Sequence, residues 1–295
     1  MWFPYTLLGV FCWASLNVTD SLLVKNYEKK PMVLLWSQSL FSIPILCVIP
    51  LLFDVRSSWA WVLALGGLLD YGADFVFFYV LDRIDISVTN IAWAILSVYL
   101  SIAGFLLFGE SWTGLQAIGA VLILGGLLMI SLTHWHVSFA QTIVLLALLA
   151  LVFTPHYIIR KAALLHSQSV IAVFFWPLVS RESICILSPF FLSPLRASIA
   201  KLVRRVDVMY YVISGFVIAC FLGGELTGAL AYAHGPISLI SITSNIQPFV
   251  VLFLAWLLWR LVPSYASKEL LTLQSVRVKI VSFVIVFAGL ALLVI

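Results

Sequence analysis

Ten apolar runs follow one another along this chain, at 3–24, 32–53, 59–80, 87–108, 114–132, 138–160, 170–192, 208–232, 236–260 and 277–295. A helix rises about 1.5 Å per residue, so roughly 20 residues cross a hydrocarbon core about 30 Å thick. Lipid offers no partners to backbone N–H and C=O groups, and the runs lack the alternation of barrel strands. Ten transmembrane α-helices are therefore expected. The longest connectors, 193–207 and 261–276, are too short to form a separate domain. Only 9% of residues are charged and 63% are hydrophobic, against roughly 25% charged in a water-facing globule. The expectation is an all-α, multi-pass integral protein of the cell membrane, with the bilayer as its main partner.

The net charge of +4 gives no reason to expect a nucleic-acid partner. Cys12, Cys47, Cys185 and Cys220 all lie in apolar runs and read as packing residues. The opening stretch MWFPYTLLGVFCWAS lacks a basic flank and a cleavage site, so it reads as the first span. His134 and His136 flank Trp135 with no further ligand cluster nearby, which suits an interfacial belt better than a metal site. No HExxH, GxSxG or P-loop occurs, so neither a cofactor, a metal nor an enzymatic role is expected.

The second half echoes the first. A shift of 151 brings Ser87 onto Ser238, Ile91 onto Ile242 and Ile95 onto Ile246. A shift of 163 brings Gly126 onto Gly289, and one of 136 brings Lys25 onto Lys161. The offsets are ordered along the chain, and five helices per half is an odd number. The halves, 1–135 and 136–295, would therefore enter the membrane in opposite orientations, the plan of many secondary transporters.

The segment SVTNIAWAILSVYLSIAGFLLFGESWTGLQAIGAVLILGGLLMI and the later YAHGPISLISITSNIQPFVVLFLAW resemble the drug/metabolite transporter superfamily, EamA type. Gly109–Glu110 supplies that family's GE after helix 4, and Pro248 its mid-helix proline. Ser97 stands where the first-half proline would fall, and Leu261 where the second GE would. The resemblance implies two inverted five-helix repeats around a central cavity walled largely by helices 3, 4, 8 and 9.

Charges inside such runs are costly and usually face a cavity or a partner. Asp70 and Asp74 share one helix face, and the 151 shift places Asp74 on Glu225. Such acids either carry protons or bind a cationic group, or else they are structural partners of Arg181. Arg181 and Glu182 are neighbours on a helix, point in different directions, and are not expected to satisfy each other. Pro177 precedes them and is expected to disturb the helix. Asp20 and His156 lie close to run ends and read as interfacial contacts, with a proton role as the alternative. Asn90, Trp93 and Tyr99, with Ser97, face comparison with Asn245 and Gln247, with Ser241 and Ser244. These are either a cavity wall or ordinary helix contacts.

Twelve of the 16 Lys and Arg fall on the face that holds Lys25 and Arg204, and only Arg56, Arg160 and Lys161 on the other. The positive-inside rule makes the first face cytoplasmic and the termini external, whereas the family resemblance implies cytoplasmic termini. The function expected is alternating-access transport of a small, amino acid-like amphiphile by a monomer or homodimer, with protons as a candidate coupling ion. The alternatives are a nucleotide-sugar or lipid-linked carrier and, from another class, a membrane-embedded enzyme.

Overall fold

The computed structural model describes residues 1–28, 30–81, 86–132, 139–261 and 273–294. Among the described residues the secondary structure is entirely helical. The helices are α1 (Trp2–Asn26), α2 (Pro31–Leu52), α3 (Ala60–Leu81), α4 (Ile86–Phe108), α5 (Gly114–Leu132), α6 (Phe139–Leu165), α7 (Val170–Phe191), α8 (Ser193–Val203), α9 (Val208–His234), α10 (Ile237–Ser244), α11 (Gln247–Leu261) and α12 (Leu273–Val294). Seven stretches are long and apolar enough to cross a bilayer, the last of them running through α10 into α11. Shorter apolar stretches lie in α4, α5 and α12.

Three features depart from the sequence reading. The connector at 193–207 contains a helix, α8. Its Leu195, Ile199 and Leu202 are buried at helical spacing while Arg196 and Lys201 stay exposed, the pattern of a helix lying along an interface. The run at 236–260 is interrupted between α10 and α11 at Asn245 and Ile246, three residues before Pro248. Proline lacks the N–H that would continue the ladder and crowds the preceding turn. The chain tightens there into i→i+3 bonds, Asn245 N–H to Ile242 O at 3.1 Å and Ile246 N–H to Thr243 O at 3.2 Å. Finally, α6 continues to Leu165, five residues past the expected end.

Helix packing is largely reciprocal. Helix α1 lies along α9, and α3 along α6; α4 meets α6, and α1 meets α10 and α11. Helices α5 and α12, α2 and α7, and α4 and α10 also pack against each other. Exchanging α1–α5 with α6, α7, α9, α10–α11 and α12 maps this set of pairs onto itself. The match is not complete: α3 lies along α7 far more extensively than α2 lies along α9, and α1 along α9 more than α3 along α6. Two close approaches depend on glycine. A Cβ on Gly119 would sit 2.6 Å from the Gly289 carbonyl, and one on Gly67 only 2.0 Å from the Pro177 carbonyl. Small residues of this kind let membrane helices pack backbone against backbone.

Where α9 turns into α10, two side chains hold the corner, one from the α4–α5 connector and one from α6. The Glu110 carboxylate accepts from the backbone N–H of Ile237 (2.6 Å) and Ser238 (3.0 Å) and from the Ser238 hydroxyl (2.5 Å). Lys161 Nζ donates to the carbonyls of Tyr232 (2.9 Å) and Gly235 (2.7 Å). An anion thus meets a helix N-terminus and a cation a helix C-terminus, each matching the backbone dipole it faces. At the other end of α9, Asp207 caps the helix. Its carboxyl lies below the usual carboxylate range because it accepts from the Tyr210 N–H and the Tyr27 hydroxyl.

Candidate functional site

A cavity of about 170 Å³ lies among α1, α2, α3, α4, α6, α7, α9, α10 and the start of α11. Two arginines enter it, each already engaged by acids. On α7, Arg181 donates from Nε (2.9 Å) and Nη2 (2.5 Å) to Asp74 Oδ2 on α3, and from Nη1 to Glu182. Its guanidinium also lies 4.4 Å from the centre of the Phe221 ring. The contact with Glu182 corrects the expectation that these neighbours ignore each other: the long Arg181 side chain folds back to reach it. Pro177 does not end α7, which runs through it as one helix.

The second arginine is Arg160 on α6, only 1% exposed. Its Nη1 donates to Glu225 Oε2 at 2.6 Å and its Nη2 to the Glu225 carbonyl at 2.8 Å. Glu225 therefore pairs with Arg160, not with Arg181. Arg160 was expected outside the membrane along with Lys161, and both are buried. His156, one turn before Arg160, is likewise interior at 1% exposure and not an interfacial contact. Its Nε2 lies 3.3 Å from Arg160 Nη1, and its Nδ1 lies 3.2 Å from the Gly66 carbonyl. Arginine can only donate, so Nε2 is the acceptor and Nδ1 carries the proton given to Gly66.

Asp70 and Asp20 are held much more lightly. Asp70 is 8% exposed and lines the cavity, and its one ion-pair contact is Arg181 Nε at 3.5 Å. Asp20 also lines the cavity and accepts from the Gln38 amide at 2.9 Å.

Trp93, Asn245 and Gln247 line the cavity as well. Trp93 packs between Phe77 and Phe153, with ring centres 5.7 and 5.3 Å away. Asn245 donates to Ser97 Oγ at 2.8 Å, and Ser97 Oγ lies 2.9 Å from the Ser241 carbonyl. The serine at the missing-proline position thus ties continuous α4 to the broken α10–α11 pair. Tyr99 packs in the apolar cluster around Leu96 and Phe153, away from the cavity lining. The side chain of Asn90 lies outside the described residues, as do His134 and His136.

Paired charges thus line one cavity inside an all-helical bundle, where buried ionisable groups of a membrane protein usually face a cavity or a partner. Residues 1–132 match the model of the EamA-like transporter family, consistent with membership of the drug/metabolite transporter superfamily. The apolar helices and this match describe a multi-pass integral membrane protein, and the family matched over the first part of the chain is one of transporters. Among solved structures, 28 chains match. One crystal structure of a protein superposes with a TM-score of 0.71 over 99% of this chain and 95% of its own, at 14% sequence identity, a likeness that speaks to fold alone. Comparison with curated proteins gives no match.

Proposed function

We propose that this protein is a secondary transporter that moves a small amphipathic metabolite by alternating access, with residues 1–135 and 136–295 as inverted five-helix repeats and ten spans in all. The observation that carries the reading is the cavity itself. It lies where both halves meet, is lined by Asp70 and Asp74 from one and Arg160, Arg181 and Glu225 from the other, and has aromatic walls. Reciprocal helix packing supports the repeat, and α10–α11 counts as one broken span. The extensive α3–α7 contact, without an equal α2–α9 contact, is what one state of a rocking pair of repeats would produce. Protons remain the candidate coupling ion, since four carboxylates line the cavity.

The test is solute exchange in proteoliposomes, screening amino acids, sugars, nucleosides and amines against empty vesicles. At least one class should exchange. Asp74→Asn and Glu225→Gln should reduce that exchange, per folded molecule, by about tenfold or more, the value of a lost charge-assisted contact. Full exchange by both variants would sink the role given to these acids, and no exchange of any class would sink the transport reading.

A further inference from the structure

The charge balance of the cavity selects its ligand. Its lining contains four carboxylates, Asp20, Asp70, Asp74 and Glu225, against two guanidinium groups, Arg160 and Arg181. Both cations are already paired with acids. Arg181 spends Nε and both Nη atoms on Asp74 and Glu182 and lies over Phe221. The Nη atoms of Arg160 are held by Glu225 and His156, and its Nε is sealed inside the protein without a partner. An entering carboxylate or phosphate would have to compete with the acids that already hold both guanidinium groups. An entering cation would find Asp70, nine-tenths buried and lining the cavity, with no hydrogen bond from any described residue and only a 3.5 Å contact to Arg181 Nε, which donates instead to Asp74. Asp20 adds a second acid, held only by an amide. Trp93, Phe77, Phe153, Tyr157 and Tyr232 supply aromatic surface in the same lining, which favours apolar groups and, through ring faces, cations.

Resting on the transport reading above, we infer that the ligand is an organic amine with an apolar body and no carboxylate, its ammonium received by Asp70 with Asp20 in support. This narrows the amino acid-like amphiphile expected from the sequence: the ammonium is kept and the carboxylate is excluded. It also disfavours nucleotide-sugars, whose phosphates need unpaired cations.

The test uses purified full-length protein and four probes of one shape: 2-phenylethylamine, its neutral N-acetyl derivative, phenylalanine and 3-phenylpropionate. Thermal shift and calorimetry should show binding of the amine, with phenylalanine weaker by about tenfold or more and 3-phenylpropionate silent. Asp70→Asn should weaken the amine by a similar factor, while Asp70→Glu, which keeps the charge and guards against simple misfolding, should largely retain it. Equal or tighter binding of phenylalanine or 3-phenylpropionate, or no binding of the amine, would overturn the assignment. So would unchanged amine affinity in Asp70→Asn. Exchange of the bound amine in proteoliposomes separates the two readings. Binding that depends on Asp70 without exchange keeps the amine site and removes transport. Exchange of a non-cationic solute without amine binding keeps transport and removes the amine site.

Discussion

Neutralising either member of the Arg160–Glu225 pair strands the other as an isolated charge. Arg160 is 1% exposed and Glu225 4%, so neither can turn to water. Arg160→Met alone, or Glu225→Met alone, is expected to cost about 3–5 kcal/mol of stability, and the double replacement to recover most of it. Unfolding of the three variants in detergent checks this, and additive costs would show that the two side chains are not coupled. The sequence carried half of this pair. Glu225 stands alone in an apolar run, which marks it at once. Arg160 sits beside Lys161 at what reads as the end of a run, the ordinary place for loop cations. A misplaced helix end of five residues hid both, together with the meaning of His156 four residues earlier. A shift of 151 along the sequence brings Asp74 onto Glu225, whereas both arginines lie after residue 135, so that comparison points to the anions and not to their partners.

At the scale of elements, the closest helix contact hangs on an absent side chain. A methyl at Gly67 would fall 2.0 Å from the Pro177 carbonyl and 2.2 Å from Ser180 Oγ, so α3 and α7 would have to part. Gly67→Ala is expected to lower stability by about 1–3 kcal/mol through overpacking. Gly72→Ala, on the same helix with nothing within 4 Å, is expected to be neutral or slightly stabilising through its higher helix propensity. Melting temperatures of the two variants decide the matter, and equal effects would refute the packing account. Glycine pairs are easy to read as close-packing sites, but the sequence does not say which member is in contact. Gly66 is 3.5 Å from Ile159 on the built Cβ while Gly67 meets backbone, a difference of one helical step. Helix existence was likewise legible from hydropathy. The interruption before Pro248 was not, because its neighbours Ile246, Phe249 and Val250 are as apolar as any span interior. Helix α8 was missed because four basic residues at 196–205 make the connector look like a loop, though its buried leucines recur at helical spacing.

For the molecule as a whole, the buried cations change the argument over orientation. Of the three basic residues assigned to the face opposite α8, Arg160 and Lys161 are inside the protein and do not bear on the positive-inside rule. That leaves Arg56 on that side, while Lys30, Arg196, Lys201, Arg204, Arg205 and Arg260 remain among the described basic residues on the other. The bias is steeper than the sequence count alone gave. It favours a cytoplasmic α8 face with the termini outside, against the orientation that the family resemblance implies. Cysteine substitution resolves the conflict. Ala200 is exposed on α8 and Ser58 is exposed on the opposite connector. In intact cells a membrane-impermeant maleimide should label Ser58→Cys and spare Ala200→Cys until the cells are opened, with native cysteines replaced to remove background. The reverse pattern would mean that the interior acids and cavity, not the loop lysines, decide how the chain inserts. Labelling of both positions in intact cells would point to dual insertion, which a chain of two inverted halves permits once its charge bias is small. With a bias as one-sided as this, a single orientation is the expected result.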